Sequence, residues 1–387
     1  MRAREGVQAQ LQRLGGGDAV IVGSNLWDEG AGGWYLGGEQ RLLRAWARLL
    51  ASRGFRVHVV TPVAAWRQWD HEGCHWVGVP PLRSSGFNRA VWNWRLHRLL
   101  PAQTKVLYSY AENASPRCVP GSLILQHAVS WDGASPKRQT RAMRQSRGVL
   151  ASCGAVLCVD TNFPNVMAAG LRDLGELHAK CHYLPNFAEV RPAAPGEPGP
   201  GPVRVLYVKR FGAEQGTHLM IEAARRLWDE GLVFELEIVG YSPSGVWEAR
   251  IKERLAPELE SGRCLLHVLG FEEVGQAYAR GAFTLVPTCK SEGTSLSCLE
   301  AMAHGLPVIS TWIGGLPDLV QHEWNGLLIA PRLEDLVAAM RRLVEDPGLR
   351  ARLSAGAFET GRRFSEEVCQ RNVHGLLDAL GWSPPAS

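Results

Sequence analysis

Lysine is scarce in this chain of 387 residues: of 42 basic residues only six are lysines, Lys105, Lys137, Lys180, Lys209, Lys252 and Lys290. Arginine supplies nearly all the positive charge. That bias fits genomic base composition as readily as arginine's bidentate grip on phosphate. The net charge of +4 is too small to argue for a nucleic-acid partner. Long apolar runs are also missing. None approaches the roughly 18 residues of a spanning helix, and residues 1–17 carry charges without the apolar centre of a secretory signal. Any membrane contact is therefore expected to be peripheral. The nine cysteines are scattered with no C-x-x-C pair, and Cys153 and Cys158 have no His or Cys partner at zinc spacing. Reduced, mostly buried thiols in a cytoplasmic protein are expected, with no metal site. The glycines lack G-x-G-x-x-G spacing, which removes the argument for a dinucleotide cofactor.

What is present is alternation. The chain is long enough for two domains, and at 45% hydrophobic and 21% charged residues it reads as globular. Short β-branched runs, Ala19 to Gly23, Phe55 to Thr61, His75 to Val79, Lys105 to Ser109, Ser122 to Gln126 and Ala155 to Val159, read as strands separated by helices. A glycine-rich loop, Gly30 to Gly38, opens a helix whose apolar face carries Leu42, Trp46, Leu49 and Leu50. Arg191 to Pro202 is rich in Pro and Gly and reads as an interdomain linker. Beyond it the alternation restarts: strands at Val203 to Val208, Val233 to Gly240, Cys264 to Val268 and Phe283 to Val286, and helices at Gly216 to Glu230 and Leu333 to Leu343. The fold class is α/β: two doubly wound, Rossmann-like domains, 1–190 and 203–362, with a last stretch 363–387.

The stretch VPTCKSEGTSLSCLEAMAHGLPVIST, Val286 to Thr311, carries the chemistry. It reads as strand end, polar loop, helix and next strand, with Gly305 as C′ glycine and Pro307 blocking continuation. First-turn amides near Ser295 to Ser297 suit a phosphate. Glu300, one turn in, lies beside such an anion, within reach of ribose hydroxyls, and Glu292 on the other side suits sugar hydroxyls. The plainer alternative is a capping box formed by Ser297 and Glu300, with Glu292 as a solvated carboxylate.

This run, followed by Gly314-Gly-Leu-Pro-Asp318 and Asn325-Gly-Leu-Leu-Ile329, resembles the signature of the retaining glycosyltransferases of family four (glycosyltransferase group 1), whose E-x7-E pair matches Glu292 and Glu300. The resemblance implies a GT-B fold, with two Rossmann-like domains facing across a cleft and the last helix returning to the first domain. It implies a nucleoside-diphosphate sugar as donor, bound mainly by the second domain through Gly293, Thr294, Ser295, Leu296 and Glu300. The acceptor, a glycan, a lipid-linked sugar or a small molecule, goes mainly to the first domain. Gly37 and Gly38 fall where relatives bring a Gly-Gly pair near the donor phosphates, and His127 where relatives contact the donor sugar. Tyr183-Leu-Pro-Asn-Phe187 resembles the family's Pro-Asn turn. In the loop Lys209 to Gly216 the family usually supplies an Arg and, five residues later, a Lys to the diphosphate. Arg210 matches the first, but Gln215 stands in the second place and brings no charge.

No D-x-D occurs, so on this reading no metal is needed and Arg210, helix amides and Gly38 hold the diphosphate. The implied chemistry is front-face displacement with retention. Glu292 then positions the sugar rather than attacking it. The alternatives are a GT-B epimerase or phosphorylase, or a catalytically silent binding relative. Two segments, Gly86 to Leu100 with Trp92 and Trp94, and Pro136 to Arg147 with Lys137, Arg141 and Arg144 on one stripe, suit an anionic membrane surface on the cytoplasmic side. Ordinary helices with buried tryptophans explain them equally.

Overall fold

The computed structural model describes residues 2–35, 37–81, 89–114, 118–129, 131, 134–171, 175–188, 201–242, 244–267 and 271–384, with residues 89, 90, 112 and 271–273 described by backbone alone. The expected linker therefore lies outside the described residues up to 200, as do Phe87 and Val268. By its own contacts the chain divides into two compact units. One comprises Met1–His127, Ala134–Leu184 and Gln370–Ser387. The other comprises Ala128–Gly133 and Pro185–Cys369.

The first unit is built on an eight-stranded sheet. Its strands are β1 (Asp18–Val22), β4 (Arg56–Thr61), β5 (Arg67–His71), β6 (Cys74–Gly78), β7 (Lys105–Ser109), β8 (Leu123–Gln126), β9 (Ala155–Cys158) and β10 (Cys181–Tyr183). They lie in the order β10-β9-β8-β7-β1-β4-β6-β5. All neighbours are parallel except β5 and β6. Strands buried on both faces read as continuous apolar runs, and AVIV and LIL do so. The C-terminal stretch is tied to this unit. Arg53 donates to Asp378 and to the Trp382 carbonyl (3.1 Å), and Lys105 Nζ donates to the Gly381 carbonyl (2.8 Å).

The glycine-rich loop differs from the sequence reading. It contains a hairpin, β2 (Trp27–Asp28) with β3 (Gly33–Trp34). Its turn is made by Asp28, whose Oδ1 accepts from the amides of Gly30 and Ala31, and by Gly32 at φ +65°. The hairpin is held by tryptophans: Trp27 lies 4.9 Å from Trp69 and 5.0 Å from Trp76, and Trp34 lies 4.7 Å from Trp76, ring centre to ring centre. Aromatic packing explains much of this loop.

Burial lowers the pKa of three histidines of the first unit. His127 is pushed down to about 3 and His97 to about 4, while burial also lowers His58 although Asp18 beside it opposes the shift. Their folded pKa values lie below the unfolded value, so the unfolded chain binds more protons as pH falls. This stability is fully present above about pH 6.5 and is lost as pH drops towards 4. Between pH 7 and pH 5, His97 and His127 should each cost about 2 kcal/mol. The double replacement His97→Gln, His127→Gln should flatten the fall in melting temperature between those pH values. Equal slopes in parent and variant would show that other groups set the acid limit.

The second unit holds β11 (Val203–Val208), β12 (Phe234–Val239), β13 (Cys264–His267), β14 (Phe283–Val286), β15 (Val308–Thr311) and β16 (Gly326–Ile329). All pair in parallel, in the order β13-β12-β11-β14-β15-β16. Alternation along β11 feeds two cores: Val205 and Tyr207 join one face, Leu206 and Val208 the other. The strand order reverses between β11 and β14. Ligands of doubly wound sheets sit beyond the strand ends at such a reversal.

Candidate functional site

The loops after β11 and β14 meet at this reversal at backbone level. Gly216, at φ +75°, lies so close to Pro287 that a Cβ would sit 1.9 Å from the Pro287 carbonyl oxygen. Cys289 N donates to the Glu214 carbonyl (2.8 Å), and Lys290 pairs with the Glu214 carboxylate at 2.6 Å. The loop after β15 completes the frame. Gly314, at φ +57°, leaves room for the backbone of Glu292, Gly315 N donates to the Glu292 carbonyl (3.0 Å), and Thr311 Oγ1 donates to the Thr288 carbonyl (2.6 Å). Ser291 Oγ donates to the Val129 carbonyl (2.8 Å), and Asn186 Nδ2 to the Thr294 carbonyl (2.7 Å). The 288–294 loop is thus fixed from several sides, which is what a positioning loop requires.

Its acidic residue is held as firmly. Glu292 Oε2 accepts from Lys209 Nζ at 2.6 Å and from Thr288 Oγ1 at 2.8 Å, and Lys209 Nζ also reaches Thr288 Oγ1 at 3.1 Å. The side chains of Lys209 and Glu292 are only 5% and 17% exposed. Thr294 and Ser295 are buried, and Gly293 and Leu296 half-buried. The helix Leu296–Ala303 starts after Ser295, which is extended (φ −67°, ψ 115°) and makes no side-chain cap. Ser297 is therefore inside the helix and is not its cap, so Ser297 and Glu300 form no capping box. The first-turn amides have no partner within their own helix and carry the positive end of its dipole. Glu300, half-buried, accepts a hydrogen bond from Tyr278 Oη at 3.3 Å, and Tyr278 stacks on His304 at 5.4 Å.

Arg210 is exposed directly after β11, and no ion pair engages it among the described residues. Gln215 is half-buried, and its carbonyl accepts from Tyr207 Oη (3.1 Å). Gly37, Gly38 and His127 belong to the first unit. Gly37 precedes the helix Gly38–Ser52 in an extended conformation. The first turn of that helix already carries an acid, Glu39, which accepts from Ser109 Oγ. His127 follows β8; its Nε2 is buried with no partner among the described residues, and its ring lies 4.9 Å from that of Tyr110. Tyr110 sits at φ +63°, a strained conformation for a non-glycine residue. The described residues contain no group of three His, Cys, Asp or Glu able to hold a metal.

Three residues, Thr288, Tyr278 and Tyr110, and the pairing of Lys209 with Glu292 escaped the sequence reading as parts of a site. Only Lys209 left a signal, as a rare lysine ending an apolar strand.

Residues 194–360 match the family model described as glycosyl transferases group 1. The putative colanic acid biosynthesis glycosyltransferase WcaL of Escherichia coli K12 is 30% identical over 192 residues, 46% of either chain. The chain thus spans about half the length of such curated relatives. The lipopolysaccharide core biosynthesis glycosyltransferase LpsD of Rhizobium meliloti is 27% identical over 356 residues, covering 88% of this chain and 95% of that one. In structure, sucrose-phosphate synthase from Thermosynechococcus elongatus superposes with a TM-score of 0.72 at 20% identity, covering 94% of this chain and 99% of that one. HepE of Anabaena, solved with UDP, gives a TM-score of 0.68 at 14% identity, covering 94% and 100%. Residues 194–360 thus match the group 1 glycosyl transferases, and the chain with its parallel α/β units has the GT-B fold.

Proposed function

We propose that the protein transfers a sugar from a nucleoside-diphosphate sugar to an acceptor hydroxyl, with retention at the anomeric carbon, in the synthesis of a bacterial polysaccharide or lipopolysaccharide-type glycan. The observation that carries this reading is the pair Glu292 and Glu300 set on either side of one helix N-terminus, at the strand reversal of the second unit. The names of WcaL and LpsD support the glycan class, and HepE solved with UDP and glucose supports the donor class.

In this reading the first-turn amides and Arg210 bind the diphosphate, and Gln215 adds a hydrogen bond without charge. Glu300 accepts from ribose hydroxyls. Glu292 keeps Oε1 for the sugar hydroxyls. The bond between the anomeric carbon and the phosphate oxygen breaks as the acceptor oxygen bonds on the same face, and the leaving phosphate oxygen takes the acceptor proton. No metal is assigned a part. A product NMR spectrum should show the donor's own anomeric configuration; an inverted linkage would remove the retaining assignment.

The acceptor side carries a further expectation. Lys137, Arg138, Arg141, Arg144 and Arg147 are all exposed on the helix Pro136–Ser152, and Trp94 is 55% exposed under Arg98. Trp92, by contrast, is core, its Nε1 donating to the Val79 carbonyl (2.9 Å). No described helix is long and apolar enough to cross a membrane. Five exposed cations at about 1 kcal/mol each before screening should give salt-sensitive attachment to anionic vesicles at low salt. Equal sedimentation with neutral and anionic liposomes would leave a soluble acceptor as the better reading.

A further inference from the structure

We infer that Lys209 is the positioning residue for Glu292: its ammonium, buried at the strand reversal, holds the Glu292 carboxylate in one orientation, with Oε1 presented to the donor sugar. The inference rests on the donor reading above.

Position 209 is itself fixed. Lys209 N donates to the Val239 carbonyl (3.1 Å), and Gly240, at φ +151°, lies so close that a Cβ would sit 1.9 Å from the Lys209 carbonyl oxygen. The side chain leaves β11 and crosses to the loop after the neighbouring β14. There Nζ takes two oxygens, Glu292 Oε2 at 2.6 Å and Thr288 Oγ1 at 3.1 Å, while Thr288 Oγ1 in turn donates to the same Oε2 at 2.8 Å. Two groups close on one carboxylate oxygen and also bond each other, so that oxygen is fixed and the opposite one is left outside the triangle. A side chain so locked loses little freedom when a sugar arrives, which is how a supporting shell preorganises a binding group.

The charges balance locally. A lysine 5% exposed and a glutamate 17% exposed are each costly to leave alone, and each neutralises the other. The pair lies at the first turn of the helix Leu296–Ala303, where Cys298 feels both charges. Among the described residues the ion-pair partner of Lys209 is Glu292. Thr288 adds a neutral hydroxyl, and Arg210 is exposed. Lys209 acts through Glu292 and differs from Arg210, whose guanidinium is free to meet phosphate.

The scarcity of lysine makes a direct test possible. With six lysines in the chain, Cε-labelled lysine gives a spectrum of six signals, and the loss of one in Lys209→Arg assigns it. Changing Glu292 to Gln should shift the Lys209 signal, and an unchanged signal would show that the two groups are not paired in solution. This arm needs no activity and survives failure of the donor reading.

The second arm uses a panel of nucleotide sugars. Lys209→Met should lower kcat by roughly 10²-fold, the cost of a misplaced group at a reacting centre, while the affinity for the free nucleoside diphosphate changes less than about 3-fold, because Lys209 acts on the sugar side. Lys209→Arg should restore part of the rate, since it returns a cation to the same carboxylate oxygen. Lys209→Met should cost little more in a Glu292→Gln background. Additive losses in the double variant, with nucleoside-diphosphate affinity falling in step with kcat, would overturn the inference and make Lys209 a phosphate ligand. If the parent turns over no donor in the panel, the donor reading fails while the spectrum still decides the pairing.

Discussion

Glu292→Gln should lower kcat by about 10²- to 10³-fold, the range found when one preorganised polar contact is removed from a reacting centre. Glutamine keeps the size of the side chain and the frame around it: the Glu292 carbonyl would still accept from Gly315, and Thr311 would still bind the Thr288 carbonyl. What is lost is the charge. The amide can turn its NH2 towards the sugar or towards Lys209, and either choice spoils one contact. Lys209, 5% exposed, would be left without its counter-ion. Removing one member of a buried pair costs about 3–5 kcal/mol when the other stays charged. A lower melting temperature with an intact circular dichroism spectrum at 25 °C is therefore part of the expectation. Steady-state kinetics at a temperature where both proteins are folded is the check. Turnover within a few-fold of the parent would mean that Glu292 does not meet the sugar.

Glu300→Ala should act differently: it should weaken the nucleotide and the nucleotide sugar by the same factor. Hydrogen bonds to a charged acceptor contribute about 1.5–3 kcal/mol, so losing the carboxylate should raise Kd about 10- to 100-fold. Tyr278, which donates to Glu300 at 3.3 Å, also donates to the Ser297 carbonyl at 3.2 Å and stacks on His304, so it keeps partners. Because the helix starts one residue before Ser297 and has no capping box, the substitution removes no cap. The 2′-deoxynucleotide provides the control. It should bind the parent more weakly than the ribonucleotide, and the two should bind Glu300→Ala alike. A ribose preference that survives the substitution would take Glu300 out of the ribose site.

The second unit was legible because its signals are local and agree with one another. VRVLYV, FTLV and the helix LSCLEAMA with Gly305 behind it announce their own periods, and the structure places them as β11, β14 and Leu296–Ala303. The helical spacing of Leu296, Leu299 and Met302 also told where the loop carrying Glu292 ends. The first unit was legible in its parallel strands and less so elsewhere. The hairpin β2–β3 hides inside a glycine-rich stretch, because its stability comes from Trp69 and Trp76, about forty residues away. Such packing has no local period. The antiparallel strand β5, RQWDH, alternates without an apolar run and gains its place only by pairing with β6. The same reason hid the supports of the site. Lys209 and Glu292 are 83 positions apart, and only the adjacency of β11 and β14 brings them to 2.6 Å. The Ser297–Glu300 spacing shows the opposite failure: a local pattern fitted a cap, but the chain entered the helix at Ser295, and the tertiary frame around Thr294 decided the start.

The central claim is that the strand reversal of the second unit, between Arg210 and Glu300, binds the diphosphate and ribose of a sugar donor. Isothermal titration of the intact chain with a panel of nucleoside diphosphates and their sugars tests it most directly. The account predicts that one nucleoside diphosphate binds with one-to-one stoichiometry, that its nucleotide sugar competes for the same site, and that Arg210→Ala and Glu300→Ala each weaken both ligands. Millimolar concentrations of every member of the panel giving no heat and no protection against thermal unfolding, or a nucleotide that binds both variants as tightly as the parent, would contradict it.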